Sequence, residues 1–576
     1  MVILGINAYH GDAAASILVD GELVAAVEEE RFNRKKHCAG FPNDSIMFCL
    51  EEAGVKPSEI DHVAIARDPK AHLWEKVSYV LRKRPSISGF LGGRLKKMAN
   101  IFRSRNELEE LFGKGNLRAQ FHKVEHHKAH MASSFFVSPF ERSSVLSIDG
   151  FGDFVSTMWG LGEGNRLYIK GCVIFPHSLG IVYNAITQYL GFPHYGDEGK
   201  VMGLAPCGEP AYMNEFRKLI TVNSGMYFSV NHPYFHHEEE FLEDQWEGGA
   251  PVVRRIFTPE LEKLLGPARK PDEPIEKRHE DIAMSLQTLL EETVLEFVER
   301  LRNSSEEKDM CLTGGVAFNS VMNGRIRRES PVDGLFIPPA AGDAGTSLGA
   351  AYWVWNQVLG KPRNFTMEHA YTGPDYSQEE VEKYLNSENA QFKVFDDDQL
   401  IDKTARRIVE GKVIGWFQGK AEFGPRALGN RSIVVDPRNP DMKDILNSRI
   451  KHREPFRPFA PSVLAEKAGE WFECGDANPF MLLVHDVLPH RRDRVPAITH
   501  VDGSGRLQTV HKETNPRYWA LIKKFEELTG VPIVLNTSFN ENEPIVCSPK
   551  DAYECFKRTK MDVLVMGNAV VERDSN

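Results

Sequence analysis

The chain has 576 residues, of which 41% are apolar, 26% charged and 10% aromatic; that composition excludes collagen, coiled coil and disorder, and the length calls for more than one hydrophobic core. Lys plus Arg number 70 against 81 Asp plus Glu, a net charge of −11, so most of the surface repels a nucleic-acid backbone and no such partner is expected. The eight cysteines form no CxxC pair, the start MVILGINAYHGDAA lacks a secretory layout, and no apolar run reaches the roughly 18 to 20 residues of a span, all of which points to a cytoplasmic protein without a membrane partner.

Residues 2–30 predict a β-meander: VILGI, AASILVD, a turn at Asp20-Gly21, then ELVAAVEEE. The segment 81–105 carries Arg82, Lys83, Arg84, Arg94, Lys96, Lys97, Arg103 and Arg105 without one acid. A solvated basic face on an inserted helical hairpin is the plainer reading, and a local anion site is the other. VEHHKAHMASS (124–134) sets His126 and His130 at i and i+4 on one face of a helix, with His127 pointing elsewhere. The meander then recurs as SSVLSIDG (143–150), DFVSTMWGLG (153–162) and RLYIKGCVIF (166–175). Each copy has an acid near its first turn, Asp12 in one and Asp149 and Asp153 in the other. Such a duplication suits a two-lobed α/β domain that holds a nucleotide between its halves.

YGDEGKVMGLAP (195–206) places Asp197, Glu198 and Lys200 on a loop entering a helix, where an ordinary charged loop is the bland reading. EDIAMSLQTLLEETVLEFVERLRN (280–303) predicts a long amphipathic helix. It precedes the strand and glycine pair of DMCLTGGVAFNS (309–320), and the turn AAGDAGT with Asp343 opens a further helix. Gly314 and Gly315 let backbone approach a nucleotide, with Asn319 following as a hydrogen-bonding group. His126, His130, Asp149 and Asp343 are a candidate cation site of two nitrogens and two oxygens, suited to Fe²⁺, Zn²⁺ or Mn²⁺, among which ligand type does not choose. Two ordinary core or surface histidines are the bland alternative.

Turn residues around Gly373-Pro374, within 364–380, predict a connection to a second α/β unit with strands at KVIGWF (412–417), SIVVDP (432–437) and VPIVLNTS (531–538). This unit sets Arg426, Arg431, Arg438, Arg449, Lys451, Arg453 and Arg457 among prolines and glycines. Arg506 follows in HVDGSGRLQTV (500–510), and Asn536, Thr537, Ser538 and Asn540 end a buried strand. Arginines in rigid turns are pre-organised forks for phosphate or carboxylate. Neither a Walker A loop nor a GxSxG elbow is present.

EEERFNRKKH (28–37), HHKAHMASSF (126–135), SIDGFGD (147–153), DEGKVMGLA (197–205), TGGVAFNS (313–320), EFGPRALGNRSI (422–433), REPFRPFAPSVL (453–464), HVDGSGRLQTV and NTSFNENEPIV (536–546) together resemble the NodU/CmcH family of O-carbamoyltransferases over nearly the whole chain. The resemblance implies an α/β protein: a duplicated, two-lobed ASKHA domain (actin-like, RNase H-like) at 1–363 and a YrdC-like α/β domain at 376–576. It implies that the second domain forms carbamoyl adenylate from carbamoyl phosphate and ATP, with Mg²⁺ accompanying ATP. The first would transfer the carbamoyl group to a hydroxyl of a small-molecule acceptor, a natural product or a sugar. Because the adenylate is labile in water, its manufacture and use belong in one protected chain.

Carried over by motif, Arg426, Lys451, Arg457, Arg506, Asn536 and Ser538 hold carbamoyl phosphate and the ATP phosphates, with Arg426 and Lys451 catalytic. His126, His130, Asp149 and Asp343 hold the metal, with Fe²⁺ favoured. Asp12, Lys200, Gly314, Gly315 and Asn319 line the adenylate, and His10 positions or deprotonates the acceptor hydroxyl. The first turn reads HGDAAAS, and Ala13 stands where many relatives carry a hydroxyl residue, which removes a phosphate contact. A tRNA-modifying transferase and a non-catalytic nucleotide sensor are the alternatives. The acidic balance counts against the first, and the complete set of ligands and arginines against the second. A homodimer is compatible with the sequence, which does not choose the acceptor.

Overall fold

The apolar runs of the first meander become three antiparallel strands, β1 (Val2–Asn7), β2 (Ala14–Val19) and β3 (Glu22–Glu28). Helix α1 (Asn43–Glu52) leads back to β4 (His62–Ile65), parallel to β1, and β5 (Gln120–Lys123) lies parallel to β4, giving the order β3-β2-β1-β4-β5. The computed structural model describes residues 1–83, 104–223, 228–236, 245–247, 250–252, 254–475 and 477–573. Most of the basic segment 81–105 lies outside the described residues. The chain divides into two compact units, Met1–Met367 and Glu368–Asn576.

Within the first unit, helix α2 (His126–Phe135) precedes the second meander, β6 (Arg142–Gly152), β7 (Val155–Glu163) and β8 (Arg166–Ile174). After the long helix α3 (Lys277–Ser305), β9 (Asp309–Thr313) runs parallel to β6 and β10 (Gly334–Phe336) parallel to β9. The resulting order, β8-β7-β6-β9-β10, repeats that of the first sheet strand for strand. The duplication read from the two meanders is therefore a duplication of whole lobes, the two-lobed α/β architecture of the ASKHA type. Every residue of β1 is buried, as expected of a strand covered on both faces, so it reads as a continuous apolar run rather than an alternating one.

Two further helices position the site. Helix α4 (Ser320–Glu329) follows β9, and α5 (Gly345–Tyr352) packs against both β1 and α2. A Cβ on Gly5 would lie 2.0 Å from the Ser347 carbonyl oxygen, and one on Gly349 would lie 1.7 Å from that of Ala129. Only glycine permits these approaches, and they set the start of α5, with Asp343 just ahead of it, beside the histidine-bearing helix. Ser16 and Ser347 add a buried hydroxyl contact of 2.7 Å between β2 and α5.

The second unit is built on one nine-stranded mixed sheet. In chain order its strands are β11 (Lys393–Val394), β12 (Ile414–Phe417), β13 (Arg431–Val435), β14 (Ala460–Leu464), β15 (Leu483–Asp486), β16 (Ser504–Val510), β17 (Ile533–Ser538), β18 (Val563–Met566) and β19 (Ala569–Glu572). They are arranged β11-β19-β18-β12-β13-β17-β14-β16-β15. The three strands anticipated from the sequence, β12, β13 and β17, are adjacent at its centre. Helices α6 (Asp397–Val409) and α7 (Pro516–Thr529) contribute Leu400, Ile408, Leu521 and Phe525 to a core that includes Trp416, Ile433 and Leu535. Among the described residues no helix is long and apolar enough to cross a membrane.

Candidate functional site

In the first unit, His126, His130, Asp149 and Asp343 each offer one donor atom to a group whose atoms all lie within 4.8 Å of one another. Helical spacing puts both histidines on the same face of α2, and their Nε2 atoms are 3.1 Å apart. Asp149 Oδ2, from β6, lies 3.1 Å from His126 Nε2 and 3.6 Å from His130 Nε2. Asp343 Oδ1 lies 3.5 Å and 3.4 Å from the same two nitrogens. Four ligands about 2.1 Å from a common tetrahedral cation would stand about 3.4 Å from one another, and the five separations bracket that value. The Asp343 Oδ1 atom is buried without a hydrogen-bond partner, a deficit that a cation would satisfy. The residues present therefore fit a divalent metal.

The surroundings hold these ligands still. Glu125 caps α2, accepting from the His127 and Lys128 backbone N–H groups at 3.1 and 2.8 Å. Asp153 Oδ2 accepts from His126 N at 3.1 Å. His127 faces away: its Nε2 donates to Val155 O at 3.0 Å, so Nδ1 accepts from Ser147 Oγ at 2.9 Å. His10 Nδ1 meets Asp343 Oδ2 at 2.5 Å, so one carboxylate serves the ligand cluster through Oδ1 and His10 through Oδ2.

Burial drives the His126 imidazole toward neutrality against the pull of Asp149. Burial opposes the charge on His130 too, yet the neighbouring carboxylates of Asp149 and Asp343 raise it to about 9. Although burial pushes Asp149 upward, His126 and His130 hold it well below the usual carboxylate range. Asp343 is likewise held low, by His10 and His130, against its burial. Both carboxylates are thus ionised, and a proton on His130 supplies positive charge that a bound metal would replace.

Of the residues expected at an adenylate, the structure brings some to this cluster and engages others elsewhere. The Gly315 N–H donates to Asp149 Oδ1 at 3.0 Å, and a Cβ there would lie 2.7 Å from that oxygen. Gly314, at φ +89°, lets the turn close on the backbone of Ile148. The glycine pair therefore makes room for the Asp149 strand. Asn319 departs from its expected role: Oδ1 caps α4 through Met322 N at 3.0 Å, and its amide pairs in both directions with Gln287 at 2.9 Å. One Asn319 amide N–H and its side-chain carbonyl oxygen are thus engaged within the protein, where they cap α4 and bind Gln287. Lys200 pairs with Asp197 at 2.9 Å and lies over Phe192. Asp12 Oδ1 accepts from His37 Nδ1 at 2.8 Å.

The second unit holds a site of opposite sign. Arg426 Nε, Arg453 Nη2 and Arg506 Nε are buried without hydrogen-bond partners. Burial lowers Arg426 to about 10, with Arg457 adding to the effect. Burial and then Arg457 lower Arg453 to about 9. Arg506 is pushed well down by burial and by Arg426, Arg453 and Arg457 together. Arg453 is braced over Phe459 at 4.3 Å and donates Nε–H to Asn447 Oδ1 at 3.2 Å, while Arg457 lies 3.8 Å from Glu454. A group of guanidiniums that repel one another and carry orphaned donors is an anion receptor in the making.

Other cations of these motifs have structural duties. The Lys451 ammonium reaches Ser538 O at 2.6 Å, Asn540 O at 2.7 Å, Asn540 Oδ1 at 2.7 Å and Ser538 Oγ at 3.3 Å. Three N–H bonds are saturated by four oxygens, so Lys451 tethers the end of β17 rather than presenting its charge to a phosphate. Ser538 Oγ donates to Asn540 Oδ1 at 2.7 Å. Asn536 Nδ2 donates to Ala427 O at 3.1 Å, Ser462 Oγ at 3.0 Å and Gln508 Oε1 at 3.1 Å, fixing the turn that presents Arg426. Arg431 lies over Phe417 at 3.7 Å and donates to the carbonyls of Gln418, Gly419, Asn430 and Pro374. Arg438 pairs with Asp436 at 2.6 Å, and Arg449 is exposed. Ser462 and Gln508, which complete the Asn536 network, lie within the blocks REPFRPFAPSVL and HVDGSGRLQTV but do not stand out there, since a neutral polar residue next to arginines gives no charge signal of its own.

The sequence matches the family model described as Carbamoyltransferase N-terminus over residues 2–352 and the one described as Carbamoyltransferase C-terminus over residues 405–573. It is 41% identical to the uncharacterized protein sll1178 of Synechocystis sp., covering 99% of this chain and 96% of that protein. It is 39% identical to Nodulation protein NolNO of Sinorhizobium fredii, covering 98% of this chain and 80% of that protein. Among solved structures it aligns with component A of the (R)-2-hydroxyglutaryl-CoA dehydratase of Acidaminococcus fermentans at 16% identity, over 61% of this chain and 97% of that one, with a TM-score of 0.32.

Proposed function

The chain belongs to the carbamoyltransferase family, and from that premise we propose that it is an O-carbamoyltransferase that makes carbamoyl adenylate in its C-terminal unit and uses it in its N-terminal unit. In the C-terminal unit Arg426, Arg453, Arg457 and Arg506 bind the phosphates of carbamoyl phosphate and of Mg²⁺-ATP. Water releases carbamate and inorganic phosphate from carbamoyl phosphate; a carbamate oxygen then attacks the ATP α-phosphorus, and pyrophosphate leaves. The arginines neutralise charge on both phosphate groups without moving, because Asn536, Ser538, Asn540 and Lys451 already hold the surrounding loops.

In the N-terminal unit His126, His130, Asp149 and Asp343 would hold a divalent metal, with Fe²⁺ favoured. A cation bound there would supply a Lewis acid that draws charge from the adenylate phosphate. His10 has a defined task. Its Nδ1–H donates to Asp343, which fixes the tautomer and makes Nε2 the basic nitrogen. That nitrogen takes the proton of a small-molecule acceptor hydroxyl as the oxygen attacks the carbamoyl carbon and AMP departs.

The observation that carries this reading is the presence, in one chain of this family, of a buried four-donor cation group and a buried group of unpartnered arginine nitrogens. Pyrophosphate release from ATP and carbamoyl phosphate tests it. Release should be lost in Arg506→Ala and retained in His130→Ala; a wild type that releases none in the presence of Fe²⁺ would sink the adenylate mechanism.

A further inference from the structure

The block EEERFNRKKH has no part in the chemistry proposed above, yet the structure ties it to His10. The turn that carries His10, residues 8–13, is gripped by the end of this block and the residues just after it. Tyr9 N donates to Gly40 O at 2.9 Å and Ala13 N to Cys38 O at 2.8 Å, so the turn is bracketed from outside by main-chain bonds. Between those two bonds lies one side-chain contact, His37 Nδ1–H to Asp12 Oδ1 at 2.8 Å. His37 is itself fixed, since its backbone N–H donates to Glu30 Oε2 at 2.7 Å. From within, Asn7 Nδ2 donates to the carbonyls of Gly11 and Asp12 at 3.1 and 3.0 Å.

The backbone shows what this grip opposes. Tyr9, Asp12 and His37 have φ of 56°, 56° and 54°, a left-handed conformation that costs a non-glycine residue free energy and persists only where its surroundings impose it. Three such residues around one short turn mark a conformation held by its contacts rather than by local preference. Glu29, in the same block, accepts from Ser45 N at 2.9 Å and Ser45 Oγ at 2.8 Å at the start of α1, which anchors the block to the first lobe.

We propose that His37 is a positioning residue: through Asp12 it holds the 8–13 turn so that His10 stays on Asp343 and Asp343 stays in the ligand cluster. The chain of contacts runs from Glu30 to His37, to Asp12, along the turn to His10, and from His10 Nδ1 to Asp343 Oδ2 at 2.5 Å. His37 touches neither the cluster nor a reacting atom. Its effect on a metal and on the base is transmitted, in the way that outer partners orient metal ligands. This inference rests on the metal reading above for its consequence, though not for its geometry.

The test uses the full-length protein with Co²⁺ alone as probe, followed by visible absorption, and a crystal structure of each variant. His37→Asn keeps both a donor near the Nδ1 position and a residue tolerant of left-handed φ; His37→Gly keeps only the backbone tolerance; His37→Ala keeps neither. Outer-partner losses cost about 10- to 100-fold in metal affinity, so His37→Ala and His37→Gly should weaken Co²⁺ binding by about tenfold and break the His10–Asp343 contact. His37→Asn should stay close to wild type in both, and all three should release pyrophosphate normally. Asp12→Ala combined with His37→Ala should be no worse than either alone if the two act as one pair. The proposal is overturned if the crystal structure of His37→Ala keeps the His10–Asp343 contact, or if His37→Asn fails as badly as His37→Ala. A wild type that binds no Co²⁺ would instead count against the metal reading, and the crystallographic comparison would still decide the role of His37.

Discussion

The ligand cluster of the first unit and the arginine group of the second are both polar, largely buried and assembled from distant segments, but they handle charge in opposite ways. In the first, two ionised carboxylates face two histidines, and three of the four ligands have an outer partner, Asp153 on the His126 backbone, His10 on Asp343 and Gly315 on Asp149, while His130 Nδ1 is buried without one. In the second, burial and then the neighbouring guanidiniums lower Arg426, Arg453 and Arg506, with Arg457 acting on all three. Uncompensated like charge in a low-dielectric setting is unfavourable until an anion arrives. The first site is thus framed in advance with most of its charge balanced, whereas the second carries a strain that its ligand relieves.

The largest expected effect separates the two sites outright. Asp343→Ala removes a ligand and the partner of His10 together, and should weaken Co²⁺ or Fe²⁺ binding by more than about 100-fold while pyrophosphate release persists. Arg506→Gln should do the reverse, lowering pyrophosphate release by about 10²- to 10³-fold, the usual cost of losing one preorganised charge-stabilising donor, with metal affinity intact.

The next effect is the sharper test of the charge argument, because it concerns stability rather than activity. Without ligand, Arg506→Gln should be more stable than wild type, by about 1 kcal/mol if relief of like-charge repulsion outweighs lost packing. Pyrophosphate at about 100 times its Kd should stabilise wild type by about 2.7 kcal/mol and leave the variant unmoved. A variant that melts lower than wild type without ligand would break the comparison. Thermal melts with and without pyrophosphate read both outcomes.

Smaller effects test the residues that hold the sites together. Lys451→Met strands the oxygens of Ser538 and Asn540 and should lower the melting temperature, by about 1 to 3 kcal/mol in stability, and it should raise the KM for carbamoyl phosphate less than Arg506→Gln does. Asn319→Ala should cost about 1 kcal/mol, the ordinary value of a helix cap, with carbamoyl transfer unaltered; a selective loss of transfer at unchanged stability would return Asn319 to the adenylate.

Much was legible in the sequence because it is written at short range. The paired meanders show as apolar runs between turns, and the His126–His130 pair shows as helical spacing; the arginines of the second unit stand out because they crowd rigid turns. All of these are local patterns, and local pattern determines which elements form and which faces they bury. Asp149, at the end of a buried strand, and Asp343, in a Gly-rich turn, join the histidines on the same local signals, and motif resemblance then assigns the group a metal.

What the tertiary structure decided is which polar atoms are already engaged. Lys451 and Arg431 look alike as cations in Pro- and Gly-rich blocks next to Arg426, yet the ammonium of the first is saturated by the end of β17 and both Nη groups of the second are given to carbonyls, whereas Arg426 lies among other arginines, and burial and then Arg457 depress its charge. Asn319 looks like a nucleotide contact until Gln287, 32 residues away, is found on its amide. His10 and Asp343 are 333 residues apart, and His37 reaches their site only through Asp12. A hydrogen bond formed within the protein cannot be given again to a ligand, and its partner is set by how the lobes fold, not by neighbours in the chain. The sequence by itself therefore determined the inventory of chemical groups and the elements that carry them; the packing of β1, α2 and α5 and the centre of the nine-stranded sheet decided which of those groups are left to act.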